Sequence, residues 1–242
     1  MTAEPGWYPV AVADGLERAT STGTRLHDRE IVVWRDLEGD SHVWEDRCPH
    51  RGMRLSFGFV RGSQIACLYH GWHFDTEGQC RYIPAHPDLT PPQTIKVWRY
   101  RSAERFGLIW TTGSEDAAGD LPADRAVTPL RSLHIDAAPP TVLARLKSAT
   151  LPAFTGEGAT TAGEVLPWLI SLKAGGDELL VGVQPLSDTE TALHMSIAGS
   201  GAYRGAGQRH FSAWAEAFRR SVENRPPPSS PAEYPHPGEF VR

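Results

Sequence analysis

From Glu30 to Trp110 the apolar residues come in short bursts. Ile31–Trp34, Ser41–Trp44, Ile65–Cys67, Trp72–Phe74, Ile95–Tyr100 and Leu108–Trp110 are rich in β-branched and aromatic residues. Turn-forming stretches separate them, among them Glu38-Gly39-Asp40, Arg61-Gly62-Ser63 and Glu77-Gly78. Short strands at that spacing predict an all-β sandwich or small barrel.

Past Thr112 the pattern changes. Gly113–Asp120 is small and polar, as a linker would be. Three strands are expected beyond it: Val165–Leu172, Glu178–Pro185 and Thr189–Ala198. In the third, Leu193, Met195 and Ile197 alternate with Ala192, His194 and Ser196, which gives the strand two faces. Phe211, Trp214, Ala215, Phe218 and Val222 recur at helical spacing and predict a helix over Gln208–Asn224. From Arg225 onward repeated prolines predict an extended tail. The expected fold class is α+β, an all-β N-terminal half followed by a small sheet with a closing helix.

The net charge of -5 and pI near 6.1 give no basic field for nucleic acid or an anionic membrane. Three cysteines are too few for a disulfide framework and point to a reducing compartment. No signal peptide or membrane-spanning run is visible, so the chain reads as soluble and cytoplasmic.

Two of those cysteines change the picture. Cys48-Pro49-His50 is followed by Cys67-Leu68-Tyr69-His70, so each of two loops offers one thiolate and one imidazole. That division suits a [2Fe-2S] cluster in which the cysteines hold one iron and the histidines the other. Exchanging two anionic thiolates for neutral imidazoles raises the reduction potential. A Cys2His2 zinc site is the competing reading, although zinc fingers usually pair Cys with Cys and His with His.

Cys48-Pro-His-Arg-Gly52, Leu55-Ser56, Gly58, Cys67-Leu-Tyr-His-Gly-Trp72, Phe74-Asp75, Gly78, Cys80 and Ile83-Pro84 together resemble the Rieske domain of the Rieske non-haem iron oxygenases. The resemblance implies three small antiparallel sheets with a Rieske-type cluster at the tip of two loops. Its ligands would be Cys48, His50, Cys67 and His70. Trp72 would cover the cluster, and Arg51 would hold negative charge off it or simply be a surface arginine. Cys80 is expected to be a buried small hydrophobe. On this reading 5–113 is the Rieske domain, 114–128 a linker, 129–225 a reduced, helix-grip-like oxygenase domain and 226–242 a Pro-rich tail.

In that family a second domain carries a mononuclear Fe(II) on an Asp-x-x-His-x-x-x-x-His motif. No such motif occurs here, and Lys147–Gly156, where it might fall, has neither His nor Asp. Val183–Met195 resembles the family's late strand pair, with its proline and acidic turn. Glu190 with His194, or His134 with Asp136, are the residues from which an iron site might be rebuilt. His210 is expected to serve structure at a helix flank, and His236 to be solvated in the tail. The resemblance therefore implies a Rieske oxidoreductase component. It would relay single electrons from a reductase or ferredoxin to a mononuclear iron on a partner subunit, in a trimer or heteromer. A complete monooxygenase with a non-standard iron site, and a non-catalytic redox sensor or scaffold, are the alternatives.

Overall fold

The computed structural model describes residues 6–113, 119–199 and 203–224. Eleven strands build the N-terminal half: β1 (Trp7–Val12), β2 (Thr20–Leu26), β3 (Arg29–Arg35), β4 (Ser41–Glu45), β5 (Phe59–Arg61), β6 (Gln64–Ala66), β7 (His73–Asp75), β8 (Cys80–Tyr82), β9 (Arg99–Tyr100), β10 (Ser102–Arg105) and β11 (Leu108–Thr112). They form three antiparallel sheets in the orders β1-β11-β10, β2-β3-β4-β9 and β5-β6-β7-β8. Ile95–Tyr100 is not the strand the sequence suggests. Only Arg99 and Tyr100 pair regularly, while Lys96 makes a lone bridge to Gln79.

The second half is a five-stranded antiparallel sheet in the order β12-β16-β15-β14-β13, with two helices. Its elements are β12 (Val127–Ile135), α1 (Pro139–Lys147), β13 (Thr161–Leu166), β14 (Leu169–Ala174), β15 (Asp177–Pro185), β16 (Thr191–Ala198) and α2 (Ala206–Val222). The expected strand Val165–Leu172 is in fact a hairpin, because Pro167 and Trp168 turn the chain between β13 and β14. Pro167 has no N–H for a ladder, which suits the turn. β12 begins at Val127, two residues inside the stretch expected to be linker. The Pro-rich tail and His236 lie outside the described residues.

Both faces of the second sheet are covered. Leu193, Met195 and Ile197 of β16 pack with Phe211, Trp214 and Phe218 of α2 and with Val142 and Leu146 of α1. On the opposite face Leu180 and Leu169 meet Leu108 and Trp110 of β11. Gly182 permits this approach. A Cβ there would lie 2.9 Å from both Pro9 Cγ and Leu108 Cδ1, closer than packed atoms come.

Polar contacts fasten the two halves. The backbone N–H groups of His27 and Asp28 donate to the carbonyls of Pro185 and Leu186 at 2.9 Å. Arg25 pairs with Glu190 at 2.7 Å, and Ser196 Oγ donates to the Phe106 carbonyl.

Candidate metal centre

Two loops, one after β4 and one after β6, carry the Cys/His pairs. They share one backbone arrangement. In the first, Gly52 N–H donates to Cys48 O and Cys48 N–H donates to Met53 O, both at 2.8 Å. In the second, Gly71 N–H donates to Cys67 O at 3.0 Å and Cys67 N–H to Trp72 O at 2.9 Å. Gly52 and Gly71 close the loops at φ +73° and +64°, a conformation that disfavours any side chain. Each loop is thus a compact turn that starts at a cysteine and points its histidine outward.

The sulfur atoms lie inside. Cys48 and Cys67 are buried, in one apolar cluster with Trp34, Trp44, Leu55 and Phe74. Burial, and the adjacent Cys67 thiol, push the Cys48 thiol up to about 12, while backbone N–H groups of His50 and Arg51 pull the other way. A thiol in that setting becomes thiolate chiefly by exchanging its proton for a metal ion. Asp46, immediately before the first loop, is buried and accepts from Ser56 N–H at 2.7 Å and Ser56 Oγ at 2.6 Å. It ties the chain entering the loop to the segment that follows it, and nothing in the sequence pattern singles it out.

The imidazoles lie outside, with ring centroids 4.6 Å apart. His50 stacks on Trp72 at 4.2 Å with planes 4° apart, and Tyr69 leans on His70 at 3.9 Å. Partial burial, then the nearby His70 and Arg51, hold His50 below the usual imidazole range. Arg51 is exposed. Cys80 is buried in the same apolar cluster, with its Sγ 3.8 Å from the Tyr82 carbonyl.

The donor set fits a binuclear cluster. Two thiols share one buried apolar cluster and two imidazoles lie side by side outside it, the donor types such a binuclear cluster uses. A two-iron cluster asks only two protein ligands of each iron.

Residues 6–99 match the Rieske [2Fe-2S] domain model. Over 110 residues the chain is 42% identical to the methylxanthine N1-demethylase NdmA of Pseudomonas putida. It is 37% identical over 118 residues to the 4beta-methylsterol monooxygenase of Methylococcus capsulatus. Residues 6–99 are a Rieske [2Fe-2S] domain, similar to that of these oxygenases. The cofactor of that domain is a [2Fe-2S] cluster. Each of these alignments covers 31% of the relative. The oxidoreductase NdmD of Pseudomonas putida is 39% identical over 107 residues, which is 44% of this chain and 18% of that protein. The fold extends the likeness past the Rieske domain. Solved NdmA superposes with TM-score 0.70 at 22% identity, covering 95% of this chain and 84% of that one. Apo dicamba monooxygenase superposes with TM-score 0.72 at 19% identity, covering 95% and 93%.

In the second half the residues suggested for a rebuilt iron site go different ways. His194 is buried, with Nδ1 2.8 Å from Ser132 Oγ and Nε2 2.7 Å from Gln184 Oε1. Glu190 is held by Arg25. His134 is exposed near the end of β12, and Asp136 falls beyond the strand, where the two-residue periodicity no longer applies. His210 Nε2 donates to the Pro152 carbonyl at 2.8 Å, beside Phe154 and Phe211. Among the described residues no helix is long and apolar enough to cross a membrane.

Proposed function

We propose that Cys48, His50, Cys67 and His70 hold the cluster, and that the chain relays single electrons from a reductase or ferredoxin to a mononuclear non-haem iron on a partner subunit. The observation that carries this reading is the matched pair of loops, each with a buried thiol beneath an outward imidazole. The bound cluster supplies a one-electron couple. The chain's own residues do the rest. Cys48 and Cys67 anchor the inner side in a dry core. His50 and His70 bring the outer side to the surface, with Trp72 fixing the plane of His50. The engagement of both ring nitrogens of His194 within the sheet supports the reading that the terminal iron lies on another chain.

Iron and sulfide analysis tests the assignment. Two irons and two sulfides per chain are expected. A stoichiometric third iron, lost in His134→Ala or His194→Ala, would place the catalytic iron here and overturn the relay reading. Co-purification with a related chain that carries the Asp/His/His set would support it.

A further inference from the structure

We propose that the buried carboxylate of Asp46 lowers the reduction potential of the cluster and so makes the reduced protein a stronger electron donor. The inference deepens the relay reading, on which its purpose rests, by naming a residue that sets the driving force. Asp46 is 3% exposed and lies two residues before Cys48. Both of its oxygens accept hydrogen bonds, Oδ1 from Ser56 N–H at 2.7 Å and Oδ2 from Ser56 Oγ at 2.6 Å. That is the pattern of a carboxylate, since a protonated acid donates from one oxygen. These partners are neutral, and Asp46 makes no ion pair among the described residues. Arg25 and Arg54 line the cleft beside it but are bound to Glu190 and Glu30. Gly23 closes in from β2, where a Cβ would come 3.2 Å from Oδ2.

A buried charge without a counter-ion is costly, and the structural task does not require it. An asparagine would make the same tie, its Oδ1 accepting from Ser56 N–H and its Nδ2 donating to Ser56 Oγ. Asp177, 2% exposed, shows the contrast. Each of its oxygens accepts two hydrogen bonds, one from the Phe154 and Thr155 N–H groups and the other from the Thr155 and Tyr203 hydroxyls. An amide could not replace it. The charge on Asp46 needs another account, and its place supplies one. One-electron reduction adds a negative charge to the cluster that Cys48 holds in the relay reading. A fixed anion in the same low-dielectric interior opposes that addition and lowers the potential. Ser21 Oγ donates to the Ser56 carbonyl at 3.2 Å, so β2 helps to hold the carboxylate's partner in place. Two imidazole ligands raise the potential. Asp46 takes part of that rise back.

A redox titration of the holoprotein, followed by the Rieske EPR signal, is the test. Asp46→Asn should raise the reduced-to-oxidised ratio about tenfold at the midpoint potential of the unaltered protein, an upward shift of about 59 mV for one electron. Its g-values should stay as they are, because the tie to Ser56 is kept. Ser56→Ala keeps the charge and removes one donor, so the ratio should fall. Glu157→Gln makes the same net-charge change at an exposed site of the second half. It should move the ratio less than about twofold.

A ratio that Asp46→Asn lowers, or changes less than about threefold, overturns the proposal. So does a rise with Ser56→Ala, which would assign the effect to distortion of the loop. An equal rise with Glu157→Gln would assign it to net charge and overturns it too. If Asp46→Asn takes up no cluster, Ser56→Ala alone must lower the ratio, and an unchanged ratio sinks the idea. The two readings fail separately. A stoichiometric third iron, with the potential shifted as expected, removes the relay and leaves the potential-setting charge. Two irons, an intact EPR signal and an unmoved potential do the reverse.

Discussion

His194 Nε2 lies 2.7 Å from Gln184 Oε1, and the amide of Gln184 reaches across to the other half of the molecule. Its Nε2 donates to the Arg25 carbonyl at 2.7 Å and to Thr24 Oγ1 at 3.1 Å. Because a carbonyl only accepts, the amide orientation is set, and Oε1 must face the histidine. His194 therefore carries its proton on Nε2, while Nδ1 accepts from the Ser132 hydroxyl. Gln184→Leu strands the His194 N–H and two acceptors. It should cost about 1–3 kcal/mol, read as a lower urea midpoint with an unchanged m-value.

The same histidine makes stability fall in acid. Burial, with a smaller contribution from His134, pushes His194 down to about 3 from its ordinary 6.5. Between those values the unfolded chain binds a proton that the folded chain refuses. The contribution is therefore complete above the ordinary value and shrinks as pH falls through the window. The steepest loss is about 1.4 kcal/mol per pH unit. His194→Gln should flatten the difference in urea-unfolding free energy between neutral and acidic pH. An unchanged slope would show that His194 titrates alike in both states.

Cys67→Ser should abolish the Rieske-type EPR signal, whereas Cys80→Ala should keep it. Both sulfurs lie in one apolar cluster, so loss of fold alone would affect both variants. Persistence of the signal in Cys67→Ser removes that residue from the ligand set.

Gly71→Ala and Gly62→Ala form a matched pair. Both positions have positive φ, +64° and +59°, and each substitution should cost about 1–2 kcal/mol in backbone strain. Only at Gly71 does the new Cβ meet an atom, Pro84 Cγ at 3.0 Å. Gly71→Ala should thus lower the melting temperature more and reduce the iron content. Gly62→Ala should leave the cluster intact.

The four Cys/His positions were legible from their spacing, and β16 and α2 from clean periods of two and of three to four residues. Other elements carried no such signal. β12 has Pro129, Arg131 and Ser132 among its apolar residues, so neither period stands out. α1 opens on Pro139-Pro140 with no side-chain cap. The β13–β14 hairpin was hidden because its turn, Pro167-Trp168, sits inside an apolar run. The bonds from Gln184 to Thr24 and Arg25 join residues 160 and 159 apart, and nothing local announces such a pair.

The closed hydrogen-bond rings at Cys48 and Cys67 bear on how the protein matures. Each ring is made by backbone atoms alone, with no side chain in it. A zinc finger pays the entropy of ordering its chain out of metal-binding energy. Backbone rings of this kind should let folding meet that cost before the cluster is delivered, which cooperative urea unfolding of the iron-free protein would check. The apoprotein should accumulate as a folded acceptor that waits for its cargo.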